Sequence, residues 1–246
     1  LIQSGVVVQR PVRSPHHTSS AVSVIGGGAV PRPGEVTLAH RGVLFLDEFP
    51  EFSRTVLEVL RQPLEDNYIL ITRLRHSYTF PSGFILVASQ NPCPCGNFGQ
   101  TNLECSCAPA SIQRYAKKIS GPLLDRIDLH INVPRLKYDE IMSTYEVAET
   151  SQEVQRRVVL ARAVQTRRFK KPITNNEMTS EQVKQFCSID ARSNLLLEQA
   201  ANKYLLSGRG IHRILKVART VADLGGSNHI TTQHIAESLQ YRQLNE

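Results

Sequence analysis

The run Val43-Leu44-Phe45-Leu46 is followed at once by two acids, Asp47 and Glu48. Four consecutive apolar residues leave a strand no polar face to turn toward water. The run therefore reads as a strand covered on both sides, the situation of a parallel sheet between helices. Tyr68-Ile69-Leu70-Ile71, Phe84-Ile85-Leu86-Val87-Ala88 and the stretch from Ile127 to Val133 read the same way. Beyond Tyr138 the pattern changes: residues 138–149, 151–168, 179–187, 190–206, 209–224 and 231–242 carry helical patterns, and no strand is expected. Thr179 with Gln182, Asp190 and Thr231 mark helix starts, Gly225-Gly226 a stop, and Lys170 to Asn176 the expected linker. One chain thus carries a parallel α/β part and a small all-helical part.

Composition bounds what such a chain does. At 246 residues, with 41% hydrophobic and 21% charged, it can bury a core, which excludes wholesale disorder and a disulfide-stapled miniprotein. No run approaches the roughly 18 apolar residues of a membrane span, and Leu1 to Gly5 is not a basic leader. A cytoplasmic protein without a membrane role is expected. Residues 1–116 hold nine arginines against eight acids and no lysine, which leaves +6 of the formal +7 for residues 117–246. That basic half fits a polyanionic partner and equally an ordinary basic surface.

Asp47 and Glu48 fall where open α/β sheets bind ligands, at the C-terminal edge of a buried strand. Read as Walker B acids, the first holds Mg2+ and the second polarises the water that attacks the γ-phosphate of ATP. A strand running into a polar turn has the same composition. The later run ends in Ser89-Gln90-Asn91-Pro92, and Pro92 keeps Asn91 out of helical geometry. An amide there can hold the attacking water opposite Glu48, the role called sensor 1, although Asn before Pro is also a turn former. Arg126, just before the Ile127 stretch, either pairs with Asp125 or Asp128 or reaches a neighbouring subunit's γ-phosphate.

Cys93-Pro94-Cys95 and Cys105-Ser106-Cys107 form two C-x-C pairs around a loop rich in Gly and Asn. Four thiolates fit a closed, structural Zn2+ site, with free thiols or disulfides as the alternatives. Cys187, alone in a helix, reads as a buried apolar residue. On the helix 209–224, Ile211, Ile214, Leu215, Ala218 and Ala222 form the apolar stripe, and Arg209, Arg213 and Lys216 share another face. Such a basic face is either solvated or, because Arg209 and Arg213 stand at the positive helix start, drawn to an anion. Ser14 to Gly34 reads as a long loop in which His16 and His17 are polar loop residues. Residues 67–81 read as a β-hairpin whose Arg73, Arg75 and His76, near the turn, are candidate nucleic-acid phosphate contacts.

Together these segments resemble the magnesium-chelatase-like AAA+ ATPases, and within them the ComM (YifB) competence-protein family. The resemblance rests on Arg13 to Thr18, Ile25 to Gly28, Leu38 to Glu48, Asn91 to Gly96, Ser120 to Leu129, Gly208-Arg209-Gly210 and Lys216 to Leu224. It implies Asp47 and Glu48 as Walker B acids, Asn91 as sensor 1, Arg126 as an arginine finger acting across a subunit interface, and Arg209 as sensor 2 with Arg213 as the alternative. It also implies ATP and Mg2+ as cofactors and a homo-oligomer, a hexameric ring with the glycine loop and the hairpin facing a central channel. The activity implied is that of a DNA motor or helicase promoting branch migration on forked or branched DNA in natural transformation. On that footing residues 1–135 are a partial AAA+ core, 136–172 connecting helices and linker, and 173–246 a helical lid.

One family element has no counterpart. A P-loop ends in Lys-Ser or Lys-Thr, whereas Gly26-Gly27-Gly28 leads into Ala29-Val30, and the first lysine is Lys117. The chain is therefore expected to be a C-terminal part that begins after the phosphate cradle and hydrolyses no ATP alone. Two other functions fit the residues: a chelatase motor subunit driving metal insertion into a porphyrin, and a zinc-stabilised DNA-binding or assembly module without catalysis.

Overall fold

A computed structural model describes residues 9–72, 76–100, 103–136, 138, 142 and 149–242. The chain divides into two compact units, Leu1–Ile127 and Asp128–Glu246. The first is mixed α/β with a three-stranded parallel sheet and the second is helical, which is the expected fold class. Among the described residues, no helix is long and apolar enough to cross a membrane.

In chain order the first unit contains β1 (Val12–Arg13), α1 (Ala21–Ile25), β2 (Gly26–Gly27), β3 (Arg32–Pro33), α2 (Glu35–Leu38), β4 (Val43–Leu46) and α3 (Arg54–Val59). It continues with α4 (Arg61–Asp66), β5 (Tyr68–Thr72), β6 (Ser77–Pro81), β7 (Ile85–Ala88), α5 (Pro109–Ala116) and α6 (Gly121–Leu124). The sheet order is β1-β4-β7, all parallel, with Val43 opposite Ile85 and Leu46 opposite Ala88. Leu44 and Leu46 are fully buried among Val36, Phe49, Val56, Leu57 and Leu60, while Val43 and Phe45 are half-buried. The apolar run is thus covered completely on one face and partly on the other. Gly42 admits β1 beside β4: a Cβ there would stand 1.9 Å from the Pro11 carbonyl oxygen.

Several sequence expectations change: the Tyr68 to Ile71 run lies in the antiparallel β5 with Tyr68 and Leu70 exposed, and β7, though parallel to β4, leaves Ile85 and Val87 exposed, so neither run is covered on both faces. Ser14 to Gly34 is not a plain loop, because the Ser20 side chain caps α1 by accepting the Ser23 N–H and β2 pairs antiparallel with β3. Gly26 makes that ribbon possible at φ 101°, with its missing Cβ only 2.5 Å from the Arg32 carbonyl oxygen. The stretch Ile127 to Val133 forms no strand. Its Leu129, Ile131 and Val133 are exposed, and the His130 N–H donates to the Tyr241 carbonyl. The stretch alternates apolar with polar residues, so it needs a sheet to cover one face, and no described strand supplies one. The hairpin forms as β5 and β6, paired from Tyr68–Pro81 to Thr72–Ser77. Arg73 and Arg75 lie outside the described residues.

The second unit contains α7 (Ser151–Phe169), α8 (Ser180–Phe186), α9 (Ala191–Lys203), α10 (Gly208–Leu224) and α11 (Thr232–Gln240). Its starts are capped as the sequence indicates: Thr179 and Gln182 form a capping box, and Asp190 accepts the Ser193 N–H. The helix expected over 138–149 lies largely outside the described residues. Ile214, Ala218 and Ala222 of α10 pack with Met178, Val183, Leu197 and Ile235 in the core.

Beside that core sits a buried polar knot that takes in Asn175, from the stretch 170–176 read from sequence as a linker. Asp223 accepts two hydrogen bonds from Arg168, at 2.7 and 2.5 Å, one from Arg219 at 3.1 Å and one from Asn175 at 2.8 Å. Arg219 also donates to the carbonyls of Asn228 and Ser227. Burial alone would raise the Asp223 pKa, but the Arg168 and Asn175 hydrogen bonds and the Arg219 charge hold it below the ordinary carboxylate value. Its stabilising contribution is complete above that ordinary value and is lost as pH falls through the lowered folded one. Asp223→Ala leaves two guanidinium groups buried without their anion and should cost about 3–5 kcal/mol. Urea unfolding of wild type and variant checks this, and the difference should shrink below about pH 4, where the carboxylate starts to be protonated.

Candidate functional site

The C-terminal ends of β4 and β7 are stitched together by Ser89. Its N–H donates to the Leu46 carbonyl at 3.0 Å, its carbonyl accepts the Phe49 N–H at 2.9 Å, and its hydroxyl donates to Asp47 Oδ1. Asp47 Oδ1 also accepts the Glu48 N–H at 2.9 Å. These bonds turn the chain sharply out of the sheet, and Glu48 takes the left-handed conformation at φ 52°, a cost that a non-glycine residue bears only where its surroundings enforce it. Both carboxylates therefore stand at the strand edge with fixed backbones.

His17 supplies the partner of Glu48, its Nδ1 lying 3.0 Å from Oε2. The imidazole is wedged between His16, 4.1 Å away between ring centroids, and the edge of Phe52, at 6.4 Å. Asn91 lies two residues beyond Ser89, and its backbone N–H is among the groups that act on the hydroxyl of buried Tyr115. Burial and the charge of Glu51 raise the Tyr115 pKa against the pull of that N–H, and Lys118 pairs with Glu51 at 2.9 Å. The adjacency of β4 and β7 thus brings Asp47, Glu48 and Asn91 to one sheet edge.

Arg126 has a different partner from those its sequence neighbourhood suggests. Its guanidinium donates to the Pro122 carbonyl at 2.6 Å and to Glu65, and the side chain is only 14% exposed. Arg126 and Glu65, with Glu58, Arg61 and Asp66, line a groove of about 460 Å³. Glu65 is 61 residues away in sequence, so only tertiary packing brings it to the arginine.

The four cysteines of the C-x-C pairs converge, all ligand atoms lying within 4.8 Å of one another. Sγ of Cys93 lies 3.4 Å from that of Cys95 and 3.7 Å from that of Cys105, and Cys95 and Cys105 are 3.6 Å apart. Thiolates arranged tetrahedrally at the usual Zn–S distance of about 2.3 Å stand roughly 3.8 Å apart, so the donor set fits a single tetrahedral ion. The Asn97 N–H, helped by Cys93, brings the Cys95 thiol down to about 6. The Cys107 N–H acts the same way on Cys105, but burial and the neighbouring thiols overcome it and push that group up to about 12. Such a spread is the behaviour of thiols sharing protons at close range. Phe98 N–H donates to Cys93 Sγ at 3.3 Å, support for a thiolate. Cys187 is buried in the second unit, its thiol pushed up to about 11 by burial.

Within the second unit, α10 begins at Ser207, whose hydroxyl accepts the Gly210 N–H at 3.1 Å. Arg213 pairs with Asp128 at 3.4 Å and Lys216 Nζ donates to the Asn176 carbonyl at 2.8 Å, so this basic face is engaged rather than merely solvated. Arg209 is exposed near the helix start. In the first unit, His76 stacks edge-on with Tyr78, 6.3 Å between centroids.

A family model described as magnesium chelatase, subunit ChlI, matches residues 2–141, and one described as the ChlI C-terminal part matches residues 148–242. The chain belongs to the magnesium-chelatase-like family, in the group of ComM and YifB. It is 46% identical over 234 residues to the competence protein ComM of Haemophilus influenzae, covering 95% of this chain and 45% of that protein. It is 43% identical to the uncharacterized protein YifB of Escherichia coli, with 95% and 46% covered. A Mycobacterium tuberculosis relative, also uncharacterized, is 39% identical over 241 residues, 97% of this chain and 47% of its own. The chain thus spans about half the length of the curated relatives it matches.

Sequence reasoning missed His17 and Ser89. Ser89 had a weak signal, a hydroxyl directly after a buried strand, while His17 had none, since nothing local says that an extended histidine meets a distant glutamate. Ser89→Ala removes the hydroxyl that donates to Asp47 Oδ1 and leaves the backbone bonds of residue 89 in place. It should lower the stability of the first unit by about 1 kcal/mol, read as a lower urea midpoint, with far-ultraviolet circular dichroism unchanged.

Proposed function

We propose that this chain is the C-terminal part of an AAA+ ATPase that works as a DNA motor or helicase in natural transformation, promoting branch migration. The observation that carries the reading is the gathering of two adjacent acids and an amide at the ends of neighbouring parallel strands, Asp47 and Glu48 after β4 and Asn91 after β7. The relative named a competence protein supports the biological context.

Asp47, fixed by Ser89, is the residue that would hold Mg2+, and its exposed carboxylate fits a hydrated cation. Bound, that ion supplies positive charge to the phosphate oxygens. Glu48 accepts the proton of the attacking water, and Asn91 orients that water. Arg126 stabilises charge on a neighbouring subunit's nucleotide in a hexameric ring, and to do so it exchanges Glu65 for phosphate. Arg209, with Arg213 as the alternative, is the sensor of the helical lid, residues 173–246. Residues 1–135 form the core, and 136–172 connect the two.

The β7 edge supports a phosphate-binding strand supplied by the longer protein. Among the described residues β7 pairs only with β4, and its Ile85 and Val87 are 61% and 44% exposed. Arg73, Arg75 and His76 of the hairpin contact DNA phosphates, and the glycine loop lies beside the same channel. Cys93, Cys95, Cys105 and Cys107 hold one structural Zn2+, a closed site that braces the loop following Asn91. A chelatase motor is the second reading, favoured by the family name alone; the four-cysteine loop and the ComM-type segments favour the DNA motor.

ATP hydrolysis by the full-length protein, with and without forked DNA, tests the function. Turnover stimulated by DNA and abolished by Glu48→Gln is expected, whereas turnover indifferent to DNA favours the chelatase reading. The 246-residue chain alone is expected to show no turnover. Metal analysis of the chain purified without chelator should find about one Zn2+ per molecule, and Cys105→Ser should lower that content sharply.

A further inference from the structure

We infer that the outer face of α7 is a nucleic-acid surface: a row of cations that holds the phosphate backbone of DNA without reading its sequence. The inference rests on the DNA-motor reading for its choice of polyanion.

The charge surplus of the chain is concentrated here. Residues 151–171 hold seven cations against one acid, Glu153, a local balance of +6 that equals the surplus of the whole stretch 117–246. Glu153 does little to offset its neighbours, because its carboxylate closes the capping box by accepting the Thr150 N–H at 2.8 Å. Among the described residues, Arg168 has an acidic partner in the buried knot and Arg157 has one in Glu149, at 2.8 Å. Arg156, Arg162, Arg167, Lys170 and Lys171 are exposed and have no acidic partner among the described residues.

Helical spacing sorts these side chains into a row. Ala161 and Gln165 are buried and Phe169 packs on the apolar core, so one side of α7 faces its own unit. Arg156, Ala163 and Arg167, at i, i+7 and i+11, share the opposite side and are exposed, and Lys170 caps the helix just beyond them. Arg156 and Arg167 stand about 16 Å apart along the axis. Duplex DNA carries one phosphate charge per about 1.7 Å of its own axis, so a row of that length meets several phosphates. Ala163, small and central, lets the backbone approach. The row is also held in place: Arg168 is bonded to Asp223, and Gln165 accepts the Asn175 N–H at 3.3 Å. Binding therefore has no helix to order.

A basic helix with apolar residues also suits a membrane surface, but that mode needs the apolar side free to enter the acyl chains. In α7 the side carrying Ala161, Gln165 and Phe169 is turned to the protein, and the side left outward is the cationic one. Clustered like charges repel one another. A phosphate backbone removes that penalty and gains by releasing its counterions, which is the sequence-independent part of DNA binding.

Fluorescence anisotropy of a labelled forked duplex, titrated with full-length protein between about 50 and 200 mM salt, tests the surface. Each phosphate contact adds about 0.9 to the slope of log K against log salt. Arg156→Gln/Arg167→Gln/Lys170→Gln should flatten that slope by about two to three and weaken binding about ten- to a hundredfold, equally on unrelated sequences. Arg156→Lys/Arg167→Lys keeps both charges and should bind within about threefold of wild type. The urea midpoint of the triple variant should not move, since all three side chains are exposed. A triple variant with wild-type affinity and slope overturns the inference. So does one that loses binding to phosphatidylserine vesicles while its DNA affinity stands, which makes the face a membrane surface. If Arg73→Gln/Arg75→Gln weakens binding and the triple variant does not, the DNA reading survives and α7 has no part in it. Wild-type protein that binds no DNA at about 50 mM salt removes the DNA reading, and this surface with it.

Discussion

The pairing of β4 with β7 is the constraint from which the first unit follows. Val43 to Leu46 lie in register with Ile85 to Ala88, so both strands end at the same level and whatever follows them shares one edge. Ser89 converts that coincidence into a locked geometry by bonding to Leu46, Phe49 and Asp47 together. A chain leaving β4 is thereby forced into a tight turn with Glu48 left-handed. The burial of Leu44 and Leu46 opposes the cost of this turn, since the strand cannot slide by one residue without exposing both.

Around that edge, side chains are held by groups from distant elements. His17 comes from the segment between β1 and α1, Ser89 from the end of β7, and the four thiols from the loop that follows Asn91. The thiol loop begins two residues after Asn91, at buried Cys93, so the segment is restrained on that side. Pinning of this kind makes polar groups functional, because a carboxylate or amide loose in water loses its directional advantage.

The second unit solves a different problem. Its core is apolar along α10, but Arg168, Arg219, Asn175 and Asp223 form a buried polar knot beside it. A single carboxylate facing two guanidinium groups is tolerable only because further polar partners satisfy their remaining donors, among them the carbonyls of Ser227 and Asn228. The knot holds Asn175, near the end of the stretch 170–176, against Asp223.

Periodicity and end signals in the sequence were enough to determine the parallel α/β class, the helical second part, the strand at Val43 to Leu46 and the capped helix starts, because these depend on contacts a few residues apart. The two acids and the asparagine were legible for the same reason, each directly following a buried run, and so were the paired cysteines, whose spacing is local. Tertiary structure decided the rest. It denied Ile127 to Val133 a described sheet to join, gave Arg126 to Glu65 instead of its neighbours Asp125 and Asp128, and set His17 against Glu48. Those choices depend on which segments the packing brings together across long separations in sequence, and no local pattern carries that information.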